Sequence, residues 1–164
     1  MMYKWSRIIC AIIIFPISNS CTSDSVDSSQ SKDSNVNYTY TVSELEAMDL
    51  INKYRADNGL NVLEKIDYVS FKAEEHNNYM IATHTVTHDG FVGRSDDIIK
   101  VLEAKNVSEN IAYNYNSPKG AFESWLKSPE HKKNIVGDFT NFGISIRRDT
   151  ITQKIYYTNI FVKK

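Results

Sequence analysis

The sequence predicts an α+β domain in which helices pack on a small, mainly antiparallel sheet, and three observations carry that reading. Apolar residues recur at helical spacing through residues 43–104. The end of the chain alternates instead: residues 139–147 and 151–162 are β-branched and aromatic, joined by the short polar link Arg148-Asp149-Thr150, the pattern of an antiparallel hairpin. Between these regions, residues 108–135 hold a β-like run with Glu109, Asn110 and Ile111, followed by further helix.

The 164 residues suit one domain with extensions. Residues 1–21 read as a lipoprotein-type signal ending at Cys21. Lys4 and Arg7 form a positive start, and residues 8–17 are an apolar run of ten, against the roughly 20 residues that a spanning helix takes. Ser18-Asn19-Ser20 then leads to the cysteine, the candidate lipidation site. The competing reading is a plain secretory signal. Residues 22–41 are rich in Ser, Asp and Asn and offer too little apolar surface to offset their ordering entropy; they read as a tether, with Tyr38 to Thr41 beginning to dock. Residues 42–164 form the domain.

Composition removes several classes. Without the first 21 residues the chain has 17 basic and 20 acidic residues, a net charge of −3, which argues against nucleic acid as a partner. The only cysteines are Cys10 and Cys21, so residues 42–164 contain no thiol nucleophile and no zinc-thiolate site. Hydrophobic residues make up 41% of the chain, enough for a sizeable core.

Within the domain, Ser43-Glu44-Leu45-Glu46 reads as a capping box opening the first helix, with Leu45, Met48, Ile51, Tyr54 and Arg55 following and Asn58-Gly59 as its stop. A second helix covers residues 65–82, with Val69, Ala73, His76 and Met80 on one stripe. The stretch from His84 through Asp89-Gly90 is a loop, and a third, short helix covers residues 96–104. Ser117 caps a fourth helix with Pro118 at its first position; it breaks at Ser128-Pro129 and delivers His131 and Asn134.

Several motifs stand in order along the chain: Leu50-Ile51-Asn52-x-x-Arg55 with Asn58-Gly59-Leu60; Ala73-x-x-His76-x-x-x-Met80; His88-Asp89-Gly90-Phe91; Glu109-Asn110-Ile111-Ala112; Trp125-x-x-Ser128-Pro129-Glu130-His131-x-x-Asn134-Ile135; Phe142-Gly143-Ile144; and Tyr156-Tyr157-x-x-x-Phe161. Together they resemble the CAP superfamily of cysteine-rich secretory, antigen 5 and pathogenesis-related proteins, in its disulfide-free bacterial branch. The resemblance implies an α-β-α sandwich with a central cavity, lined in many members by two His and two acidic residues that can hold a divalent metal. By position it assigns the two His to His88 and His131 and one acid to Glu109. Ser128 stands where eukaryotic members carry the other acid, which leaves the tetrad incomplete.

On chemistry alone, two imidazoles and a carboxylate form a set that zinc accepts with a fourth position open to water, and such water can act as a nucleophile. A weakly bound divalent metal such as zinc is therefore one expectation. The other is a cluster in which Glu109 hydrogen-bonds neighbouring groups and organises the cavity floor. His76 reads as a core histidine with one partner or as a support to His88, and His84 as exposed. Asn52 and Arg55 bridge elements by hydrogen bonds, Asn110 and Asn134 support the cluster, and Ser128 caps the turn that Pro129 opens. Two functions remain: a non-catalytic, membrane-tethered monomeric module that binds a lipid, peptide or glycan, and a peptidase-like hydrolase using His88, Glu109 and His131. The sequence shows neither an activated nucleophile nor a complete ligand set, which favours the module.

Overall fold

The computed structural model describes Met2 and residues 36–164; the signal, Cys21 and most of the tether lie outside the described residues. The elements run α1 (Val42–Asp57), β1 (Glu64–Lys65), α2 (Asp67–Thr83), α3 (Phe91–Leu102), β2 (Asn106–Tyr113), α4 (Pro118–Lys127), α5 (Pro129–Ile135), β3 (Asn141–Arg148) and β4 (Ile155–Lys163). The strands form one mixed sheet in the order β1-β3-β4-β2, antiparallel except for β1 against β3. Helices cover both faces, giving the expected α-β-α sandwich. No helix among the described residues is long and apolar enough to cross a membrane.

Strand alternation divides the core in two. On one face Phe142, Ile144, Tyr157 and Phe161 meet Met48 and Ile51 of α1, Phe122 and Trp125 of α4, and Ile135 of α5. On the other, Val107, Ile160 and Val162 meet Val69 and Ala73 of α2 and Ile98 of α3. The closest approach is at Gly143, where a Cβ would lie 2.3 Å from the Ser70 nitrogen and 2.5 Å from the Val69 carbonyl carbon. Glycine lets α2 rest directly on β3.

Three local expectations need correction. The capping box of α1 is Thr41 with Glu44: Glu44 N donates to Thr41 Oγ1 at 3.2 Å and Thr41 N to Glu44 Oε2 at 2.8 Å. Glu44 is buried against Arg147 and Tyr38, a tertiary demand that selects it over Glu46, while Leu45 is exposed. Next, α3 begins at Phe91 rather than residue 96, because Gly90 takes a left-handed turn (φ +71°) that redirects the loop straight into helix. Finally, the hairpin link spans residues 149–154. Asp149 Oδ1 accepts from Ile151 N at 2.8 Å and its Oδ2 from the Thr152 hydroxyl, drawing Ile151 into the turn and leaving it exposed.

Candidate functional site

The candidate site lies across β2, one of the two edge strands of the sheet. Successive β2 residues face opposite ways, so Glu109 looks toward α2 and α3 while Ser108 and Asn110 look toward α5. A cleft of about 690 Å³ straddles that edge, lined by His88, Glu109, Glu130, His131 and Asn134, among others.

Glu109 is the buried centre, its side chain only 1% exposed. A carboxylate there needs donors for both oxygens. Arg94 supplies most of them: Nε donates to Oε2 at 3.1 Å, and Nη2 to Oε1 at 2.9 Å and to Oε2 at 2.8 Å. His88 Nδ1 lies 2.9 Å from Oε1. An ionised carboxylate only accepts, so Nδ1 carries the proton and donates. The His88 side chain is 53% exposed and lines the cleft.

His76 sits behind this group. Its Nε2 is 2.7 Å from the Thr87 carbonyl and 3.9 Å from Glu109 Oε1, so it donates to Thr87 and fixes the loop just before His88. Burial first, opposed by Glu109, pushes the His76 pKa down. His131 is likewise lowered, first by burial and then by the nearness of the His88 ring. Both are therefore neutral at pH 7. His84 is exposed.

On the opposite face, amides hold α5 against β2. Asn110 Nδ2 donates to the His131 carbonyl at 2.9 Å and Asn134 Nδ2 to Asn110 Oδ1 at 2.8 Å. Ser108 Oγ donates to Asn134 Oδ1 at 2.9 Å, and Trp125 Nε1 donates to the Ile111 carbonyl at 2.9 Å. The far end of α5 is held by buried Arg55, whose Nη1 donates to the carbonyls of Ile135 at 2.8 Å and Gly137 at 2.9 Å. Helix C-termini leave such carbonyls unpaired. Asn52 clamps the link to β1, donating to Leu63 O at 2.9 Å and accepting from Leu63 N at 2.8 Å. Ser128 stands at the N-cap of α5, but its side chain makes no capping bond; its carbonyl accepts from Lys132 N at 2.8 Å instead.

The structure thus joins His88 to Glu109 directly and places His131 on the same cleft without bringing it into their hydrogen-bonded group. Among the described residues no three His, Cys, Asp or Glu side chains are placed to hold a metal ion, and both Glu109 oxygens are already engaged by a guanidinium. This donor set does not fit the metal centre that the resemblance implied. Arg94 is the residue that sequence reasoning missed. The available signal was indirect: a buried Glu109 requires a cation, but four arginines follow Arg7, and spacing alone does not choose among them.

Comparison with known proteins places this geometry in a family. The chain is 31% identical over 128 residues to an uncharacterized membrane protein of Bacillus subtilis, covering 76% of this chain and 35% of that protein; it therefore spans about a third of the relative's length. An SCP-domain extracellular protein of Bacillus anthracis has a similar structure, with TM-score 0.65 and 23% identity, over 74% of this chain and 40% of that one. An outer surface protein of Borrelia burgdorferi gives TM-score 0.65 and 20% identity, over 78% of this chain and 98% of that one. These two share the fold. The sequence profile of the cysteine-rich secretory protein family matches residues 48–162, well over half of the chain, and the protein belongs to that CAP family.

Proposed function

We propose that this protein is an exported, non-catalytic binding module, tethered to a membrane through a lipid on Cys21, that acts as a monomer. Its cleft across β2 takes a polar ligand. The observation that carries this reading is the commitment of the chemical groups at the cleft. Glu109 is neutralised by Arg94, and the Ser108 hydroxyl donates to Asn134 rather than facing a base. What stays available is hydrogen-bonding surface: the exposed part of His88, the half-buried His131, exposed Asn106, and the accepting capacity left on Ser108 Oγ and Asn134 Oδ1. That surface suits a peptide or glycan better than a lipid tail, which would require an apolar lining.

One observation favours the runner-up. A carboxylate that holds the Nδ1 proton of an imidazole leaves Nε2 free as a general base, so His88 with Glu109 is half of a hydrolytic machine. A titration separates the two readings. Neutral oligosaccharides and uncharged polar peptides are added to the full chain, and amide shifts of Ser108, Asn110 and Asn134 are followed by NMR. The module reading expects saturable shifts that His131→Ala weakens, with the ligand recovered intact. Cleaved ligand with wild type but not with His88→Ala would replace it with the hydrolase reading. For the tether, membrane partitioning of wild type against Cys21→Ser decides, and equal solubility removes the lipid anchor.

A further inference from the structure

The donor set around Glu109 departs from a metal centre, and Arg94 is the group that makes the difference. We propose that Arg94 is a tethered counter-ion: it supplies to Glu109 the positive charge that a divalent cation would supply, so the cleft is metal-independent and acquires a metal response only when Arg94 is removed. The same side chain is a positioning residue for His88. This goes beyond the binding reading and rests on charge balance at Glu109, whatever the cleft holds.

Three features support it. The guanidinium bridges both oxygens of a buried carboxylate through three hydrogen bonds, and unlike a metal it is neither diluted away nor deprotonated. A second cation approaching Glu109 would face this fixed charge at close range in a poorly screened site. Arg94 also reaches the loop beside His88, donating from Nη1 to the Asp89 carbonyl at 3.0 Å. Finally, Arg94 Nη2 and His88 Nδ1 share the oxygen Oε1. Arg94 therefore holds in place the acceptor that keeps a His88 proton on Nδ1 and turns Nε2 away from Glu109.

The test uses the full chain as wild type, Arg94→Ala, Arg94→Gln and the double variant Arg94→Ala/His88→Ala. Melting temperature is measured with zinc chloride and with a chelator, and the imidazole nitrogens are followed by 15N NMR. Wild type should melt alike in both conditions and show His88 as the Nδ1–H tautomer. Without metal, both single variants should melt lower and lose the clean tautomer signature, which a merely structural arginine would leave intact. Zinc should then raise their melting temperature by roughly 5 °C, and the double variant should lose that gain. A zinc-induced rise in wild type overturns the proposal. So does the absence of any zinc gain in both single variants, whether or not they fold without metal. The ligand titration above reads the binding function separately, so either idea can fail alone.

Discussion

Glu44 and Glu109 are both buried carboxylates held by an arginine, yet their remaining partners differ. Glu44 is 0% exposed, and the chain itself uses all of its accepting capacity. Oε1 accepts from Tyr38 OH at 2.8 Å, Ile146 N at 2.9 Å and Arg147 Nη1 at 2.7 Å. Oε2 accepts from Thr41 N at 2.8 Å and Thr41 Oγ1 at 3.0 Å. Burial first, with Glu44 adding to it, pushes the Tyr38 phenol well above its ordinary range. That site locks the segment before α1 to β3. Around Glu109 the arginine plays the same part, but one remaining partner is a half-exposed imidazole on a cleft. The buried pair at Glu109 differs from that at Glu44 in having a partner that reaches solvent.

The largest expected effect sharpens the structural side of this contrast. Glu44→Gln takes one of two carboxylates from Arg147, which keeps Glu74 at 2.8 Å, and disrupts a five-bond junction; it should cost about 3 kcal/mol, the lower end for a broken buried pair because Arg147 retains that partner and is 22% exposed. Urea denaturation measures it, and a loss below that of Glu109→Gln would invert the comparison. For Glu109→Gln we expect about 2 kcal/mol, since its oxygens are hydrogen-bonded by Arg94 and His88 alone, where Glu44 is held by Tyr38, Thr41, Ile146 and Arg147.

A smaller effect follows from His76. Its folded pKa lies below the ordinary 6.5, so the unfolded state binds more protons as pH falls through that value. Stability should be flat above about pH 6.5 and decline below it. His76→Gln should flatten the decline while His84→Gln, at an exposed position, should not; identical pH profiles for both would remove His76 as the cause. The smallest stability change belongs to His88→Ala, within about 0.5 kcal/mol because the side chain is half exposed, even though ligand shifts at Ser108 and Asn134 should collapse. Normal ligand binding by that variant would sever the link between the Glu109 pair and the cleft.

Much of the fold was legible because local rules suffice for it. Ser117 with Pro118 announces α4, and the stripe of Val69, Ala73, His76 and Met80 is the buried face of α2. The alternating runs near the end are the two inner strands of the sheet. The candidate site was legible in part: His88, Glu109 and His131 do line one cleft. Their roles were not, because the choice between metal and arginine depends on what else reaches Glu109.

By itself the sequence determined the kind and order of the elements apart from β1, a two-residue strand that exists only through its pairing with β3, since caps, prolines and apolar periodicity act within a few residues. It also determined that the family motifs stand in the right succession. Only the tertiary structure decided which of two equivalent Ser/Thr-x-x-Glu boxes opens α1, because Arg147 lies 103 residues from Glu44. It likewise decided that Arg94 rather than another arginine neutralises Glu109. Burial makes an unpaired charge costly wherever it falls, but which opposite charge arrives is settled by how the helices pack on the sheet, and no local pattern records that.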